Sequence, residues 1–333
     1  MRHLFSGFLA IAIIATACQA GDASETTVST TPPTSTVPTT SAPVGGELVV
    51  FARYDLSLQF DTMALVASRS ATPVPAPRWY EPDASVLGGP FFVMDHVEGR
   101  VPADNLPYTV EGWLLDAAPA DRLALQDDTV WAIAGVHAVD LTGINGTRYG
   151  YDPAGPSALH QHVQRWQDYQ RWVAGDAVLP TIDAAWRWLD EHWPADDGGP
   201  PRLSWGDARI GNVVYEGFRP AALLDWEMVG IAPPGVDLAW MAYLHVFFHD
   251  VAVMLEGPGL PGYLDLDDIA EIYEARTGIT LGDRQFWMVY AAVRYALIMI
   301  RIHARRVAFG EAEPDPDPEA GTMHLDWLAA AIA

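Results

Sequence analysis

The sequence holds no lysine: the 19 basic side chains among its 333 residues are all arginine. Any cationic role in a site must therefore fall to arginine. Cysteine occurs once, at Cys18, which excludes an intrachain disulfide framework, a multi-cysteine zinc site and a cysteine-centred catalytic triad. Asparagine occurs only at positions 105, 145 and 212. No GxSxG elbow is present, and no unit of 20 to 50 residues recurs, so a solenoid is not supported. Positive charge is scarce throughout, since 43 acidic residues give a formal net charge of −24. So acidic a surface repels phosphate backbones, and with no basic stripe interleaved with aromatics it disfavours nucleic acid as a partner.

What is plentiful is apolar and aromatic. Half the residues are hydrophobic and 13 are tryptophan, enough for one large domain or two smaller ones with substantial cores.

The first 46 residues are of a different kind. "MRHLFSGFLAIAIIATAC" has a short basic start, an apolar run too short to span a bilayer, and small residues before Cys18. It has the layout of a secretory signal and resembles a bacterial lipoprotein leader, in which the cysteine is lipidated after cleavage. Residues 19–46 are dominated by a Ser/Thr/Pro tract that cannot bury enough apolar surface to fold, and read as a tether. This places the chain in the cell envelope as a membrane-anchored lipoprotein if the leader is genuine.

Beyond the tract, "ELVVFA" (47–52) reads as a strand and residues 54–70 as an amphipathic helix with Leu58, Met63, Leu65 and Val66 turned inward. "TPVPAPRWYEPD" breaks the pattern, and 90–99 reads as a buried strand ending at Gly99. After Gly99 helices are predicted at 111–138, 158–174, 181–193, 236–256, 267–276, 283–308 and 323–332. The apolar stretch at 236–255 is interrupted by Asp237, His245, His249 and Asp250, which favours a buried helix over a membrane span. One hairpin interrupts the helices: a strand from Ile210 to Tyr215, a turn at "EGFRP", and a strand from Ala221 to Leu224.

That hairpin connects Asp207 and Asn212 to Asp225. Phosphoryl transfer needs a carboxylate near the attacking hydroxyl and oxygen ligands that hold Mg²⁺ against the phosphates. Asp207 can serve as the base, with Asn212 and Asp225 as metal ligands, because a hairpin brings its open ends together. The spacing alone is ambiguous: with 29 Asp and three Asn, the chain repeats Asp-x4-Asn at Asp140 and Asn145, and capping or turn roles remain open for either pair.

The stretch "SWGDARIGNVVYEGFRPAALLDWEMVGIAPPGVDLAW" resembles the core of the aminoglycoside phosphotransferase-like kinases. Their catalytic loop runs His-Gly-Asp-x4-Asn, followed by an Asp-Trp/Phe-Glu/Gly metal loop and an Asp-Leu-Ala helix. Here Trp205 stands in place of the His, while Asp207, Asn212, Asp225-Trp226-Glu227 and the buttressing Asp237 match. The likeness extends through "VHAVD" and through "PVPAPRWYEPDASVLGGPFFVMDHVEGRVP", similar to the hinge between lobes, and is nearest the subgroup related to a kinase-like domain fused to some acyl-CoA dehydrogenases. It implies an α+β protein-kinase-like fold, with an amino-terminal lobe at 47–98 that is truncated and a helical carboxyl-terminal lobe at 99–333. It implies ATP and Mg²⁺ as cofactors, a small-molecule hydroxyl as acceptor, Asp207 as catalytic base, Asn212 and Asp225 on the metal, and Arg53, Met94 and His96 on the nucleotide.

The pattern departs from the family where phosphate should be cradled. No Gly-rich turn precedes the helix at 54–70, only Arg53 is available for the cationic role, and Gln59 occupies the position expected for its Glu partner. An exported leader also conflicts with ATP chemistry, and otherwise the family implies the cytoplasm. Two readings follow: a small-molecule phosphotransferase, or a membrane-tethered binding module on a degenerate kinase lobe. Elsewhere, His245 and His249 sit at a zinc-chelating i, i+4 spacing without the Glu of HExxH, and read as polar residues of a packed helix. His160 and His162 fall on different helical faces. Arg294, Arg301, Arg305 and Arg306 read as a solvated or acid-paired face rather than an anion site.

Overall fold

The computed structural model describes residues 49–52 and 54–333. The leader, Cys18, the tether and Arg53 lie outside the described residues. Residues 49–52 do not form the expected strand: they run as bends, because side chains rather than a neighbouring strand take their carbonyls. Arg301 Nε donates to the Val49 carbonyl at 2.8 Å and the Tyr169 hydroxyl to that of Val50 at 2.9 Å.

Asp55 opens α1 (Leu56–Arg69) by accepting the Leu58 N–H on its Oδ1 at 2.9 Å. Leu58, Met63 and Val66 are buried as the spacing predicts, and Leu65 is half-buried. A two-stranded antiparallel sheet follows, β1 (Pro77–Glu81) against β2 (Phe91–Met94). Strand β1 is hidden in the sequence by its prolines; Pro77 is tolerated because it is the first residue of the strand, next to an irregularity in register. Strand β2 is shorter than the predicted 90–99, and the chain beyond it pairs once more, at Arg100 with Tyr215. Gly99 permits that approach, since a Cβ there would lie 2.5 Å from Val214 Cγ1.

The helical part begins with α2 (Pro119–His137), eight residues later than the sequence pattern suggests, because Pro119 sets the first turn and the preceding residues form turns. Then come α3 (Ala158–Ala174) and α4 (Pro180–Glu191), the short strands, α5 (Gly235–Met254), α6 (Leu266–Thr277), α7 (Arg284–Ala308) and α8 (Leu325–Ala331). Helices α5 and α7 pack on each other at the centre, with α3 and α4 against α7 and α2 against α6. Both central helices are long and apolar enough to cross a membrane by length and composition, yet most of each lies buried inside the protein.

Two small antiparallel sheets sit on this helical base. Strands β4 (Val213–Glu216) and β5 (Arg219–Leu223) form the predicted hairpin, with a 3₁₀ turn at Ile210–Asn212 in place of the strand's expected start. Strands β3 (Arg202–Ser204) and β6 (Gly230–Ala232) were invisible in the sequence, because three-residue strands carry no period. They clamp the entry to the 205–209 loop against the exit from the 225–229 loop.

Candidate active site

The loop after β3 is fixed from below by Asp237, in the first turn of α5 and fully buried. Its Oδ1 accepts from Ser204 Oγ at 2.7 Å and the Gly206 N–H at 2.9 Å; its Oδ2 accepts from the Trp205 N–H at 2.8 Å and meets His137 Nε2 at 2.9 Å. Burial alone would raise its pKa, but these bonds hold it below the ordinary carboxylate value. Arg294 locks the same turn from α7, donating to the carbonyls of Val236 at 3.1 Å and Gly206 at 3.0 Å, with its guanidinium over Trp240. The expected solvated arginine face is therefore corrected at Arg294 and Arg306, which are buried.

The loops after β3 and β5 are interlocked. Trp205 Nε1 donates to the carbonyls of Leu224 at 2.8 Å and Asp225 at 3.1 Å, so the residue replacing the family's His ties the two loops together. The Leu224 N–H donates to the Asn212 carbonyl at 2.8 Å. Gly206, at φ 91°, passes so close to Met228 that a Cβ would lie 2.1 Å from its carbonyl oxygen.

Asp207 is held by three donors: Trp240 Nε1 on Oδ1 at 2.6 Å, and Asn212 Nδ2 at 2.7 Å and Arg209 Nε at 3.1 Å on Oδ2. Arg209 also pairs with Asp104; burial would lower its pKa, but the two carboxylates raise it and hold the guanidinium charged. Asp225, at φ 55°, lies at the hairpin's other end. Asp207, Asp225, Glu227, Asp104 and Arg209 line one cavity of about 370 Å³, whose remaining wall is largely apolar: Trp240, Leu244, Phe247 and Phe248 of α5 with Ile298, Met299 and Ile302 of α7.

At the acidic end of this cavity the carboxylates outnumber the positive charge that Arg209 supplies. Burial, then the neighbouring Asp207, pushes Asp225 up to about 6 against the pull of Arg209. Burial, then Asp225 and Asp207, pushes Glu227 up to about 8, opposed by a hydrogen bond with the Tyr54 phenol. A cation would relieve both. Asn212, buried beside Asp207, donates its amide nitrogen to that carboxylate and is not among the residues that line the cavity. Among the described residues no three His, Cys, Asp or Glu converge to hold a metal by themselves. That donor set suits Mg²⁺, which is held by one or two carboxylates and completes its shell with phosphate oxygens and water.

The other sequence candidates are placed elsewhere. Met94 is half-buried at the end of β2 and packs against the core, and His96 is exposed and lines a groove with Ala76, Tyr215 and Ala221 beside the hairpin. Asp140 and Asn145 have turn roles, accepting the N–H groups of Thr142 at 2.9 Å and Thr147 at 3.3 Å. Both nitrogens of His245 are engaged, by the Tyr108 hydroxyl at 2.8 Å and the Leu260 carbonyl at 2.9 Å. His249 Nδ1 accepts from the Leu260 N–H at 3.2 Å. His162 is buried against the Tyr290 hydroxyl at 2.6 Å. Arg209, Trp240, Asp104 and Tyr54 escaped the sequence reading; Arg209 lies inside the motif, but nothing marks Asp104, over a hundred positions away.

Residues 52–271 match the phosphotransferase enzyme family. The chain belongs to that family. It is 27% identical over 259 residues to acyl-CoA dehydrogenase family member 11 of Rattus norvegicus, and 29% identical over 261 residues to that of Gallus gallus. Each match covers 75% of this chain and 32% of the relative, so the chain spans about a third of the curated relatives it matches. A Ralstonia eutropha structure assigned as an aminoglycoside phosphotransferase superposes with a TM-score of 0.63 at 25% identity, covering 83% of this chain and 82% of that one. Aminoglycoside phosphotransferase APH(4)-Ia, solved with AMP-PNP and hygromycin B, shares the fold at a TM-score of 0.50 and 16% identity, with 82% of each chain covered. The fold of this phosphotransferase-family chain is thus α+β and protein-kinase-like, with a helical carboxyl-terminal portion.

Proposed function

We propose that the chain transfers the γ-phosphoryl group of ATP, with Mg²⁺, to a hydroxyl of a small molecule. The observation that carries this reading is the meeting of Asp207, Asp225 and Glu227 on one cavity whose opposite wall is apolar. Asp207 holds the acceptor hydroxyl and takes its proton as the new O–P bond forms and the bond to the ADP oxygen breaks. Trp240, Asn212 and Arg209 keep that carboxylate in one orientation. Asp225, with Glu227 beside it, would hold Mg²⁺, which when bound neutralises phosphate charge. The groove lined by His96, Ala76, Tyr215 and Ala221, next to Met94, is the candidate seat of the nucleoside; Arg53 would meet its phosphates.

Calorimetric titration with ATP and MgCl₂ tests the reading. Asp207→Ala should reduce phosphoryl transfer, read as ADP release, by about 10²- to 10⁴-fold while leaving nucleotide affinity nearly intact. No heat and no thermal shift at millimolar nucleotide would refute it. A second reading, a binding module without turnover, is favoured by one observation: both Asp207 oxygens are already engaged. Binding of ATP without ADP release would select it. Membrane tethering through a lipidated Cys18 is a separate proposal, checked by loss of lipid labelling in Cys18→Ser.

A further inference from the structure

A second cavity, of about 390 Å³, lies between α1, α3 and the metal loop, and shares Phe51, Glu227 and Met228 with the first. We propose that it is an anion subsite, built on the Arg165 guanidinium, which takes the carboxylate or phosphate group of a small molecule.

Arg165 projects from α3 into this cavity, mostly buried. Of its five N–H donors, one bond is formed, from Nη1 to the Tyr149 carbonyl at 2.6 Å, and among the described residues no ion pair joins it to a carboxylate. A partly desolvated guanidinium with one of its five donors bonded keeps N–H groups that an anion could take up. Burial, followed by the nearby Arg294, pulls its pKa down, which an anion would reverse.

The backbone is shaped around this group. A Cβ at Gly150, where φ is 68°, would lie 1.7 Å from Arg165 Nη1, and one at Gly230 would lie 3.1 Å from Nη2. The acids on the cavity wall are committed elsewhere: Asp168 pairs with Arg171, Asp55 caps α1, and Glu227 shares a hydrogen bond with the Tyr54 phenol. The planar fork suits bidentate carboxylate or phosphate, and the Trp166, Tyr169 and Trp172 rings leave room for an apolar body beside it.

The test is titration of the full chain with inorganic phosphate at constant ionic strength, without nucleotide, so its outcome stands whether or not ATP binds. Saturable stabilisation of the wild type is expected, weakened at least tenfold in Arg165→Gln and retained in Arg187→Gln, a change at an exposed position on α4. Arg165→Lys, which keeps the charge and the stem, should also bind more weakly because the fork is lost, and serves if the Gln variant does not fold. Repetition with saturating ATP distinguishes the sources: competition assigns the anion to the nucleotide's phosphates, additivity to a separate molecule. Unsaturable stabilisation of the wild type, or equal phosphate binding by wild type and either Arg165 variant, overturns the proposal.

Discussion

Replacing Asp237 by Asn tests the foundation of the site with almost no change in shape. The carboxylate accepts from four groups, two on each oxygen: Ser204 Oγ and the Gly206 N–H on one, the Trp205 N–H and His137 Nε2 on the other. An amide presents one oxygen and one NH₂, so whichever way it turns a buried backbone N–H, of Gly206 or of Trp205, faces a donor, and the Ser204 hydroxyl or the His137 imidazole beside it loses its acceptor. Each stranded group costs about 1 to 3 kcal/mol. The expected loss is therefore about 3 to 5 kcal/mol, in line with removal of one member of a buried ionic network. Urea unfolding followed by far-ultraviolet circular dichroism measures it, with the midpoint falling and the slope unchanged. Because the folded pKa of Asp237 is depressed, its contribution is present above the unfolded value of 3.8 and lost as pH falls through the folded one, so wild type and variant should converge in acid. A loss below about 1 kcal/mol at neutral pH would refute the view that these bonds hold the 205–209 loop.

Two further outcomes follow from the charges lining the first cavity. Asp225 and Glu227 have folded values of about 6 and about 8, above their unfolded 3.8 and 4.5. Their stabilising contribution to the metal-free protein is full below about pH 4 and lost as pH rises through the folded values, whereas Mg²⁺ requires the ionised forms. Magnesium affinity should accordingly be about tenfold weaker at pH 5 than at pH 8 through Asp225 alone, with proton release detectable by calorimetry in buffers of different ionisation enthalpy. Arg209→Met strands two buried carboxylates, Asp104 and Asp207, and should cost about 3 to 5 kcal/mol in urea unfolding; adding Asp104→Asn should recover part of it.

The parts of the fold that could be read from sequence are those with a period or a local chemical signature. Helices α1, α3, α5 and α7 follow their apolar spacing, and the β4–β5 hairpin follows its turn residues. The start of α2 was misplaced because turns just before Pro119 carry apolar residues at helix-like intervals. The β3–β6 pair was missed because strands of three residues are fixed by their partners rather than by their own pattern. The spacing of Asp207 and Asn212 was duplicated at Asp140 and Asn145, and only tertiary contacts separate the pairs: one carboxylate is buried among three donors, the other caps an exposed turn. Asp104 and Tyr54 reach the site through contacts distant in sequence or outside any motif, which is why pattern reading did not find them.

The interlocking of the two loops has a kinetic consequence. With the Trp205 indole spanning two carbonyls of the metal loop, and Gly206 seated against Met228 without room for a methyl group, neither loop can swing independently of the other. Asp207 and Asp225 are thus tied into one body. Opening and closing of the cavity must be assigned to its other walls, above all to residues 49–52 and Tyr54, which are held there by a few side-chain contacts. Changes in that segment should alter how fast molecules enter and leave while leaving the reacting groups in register.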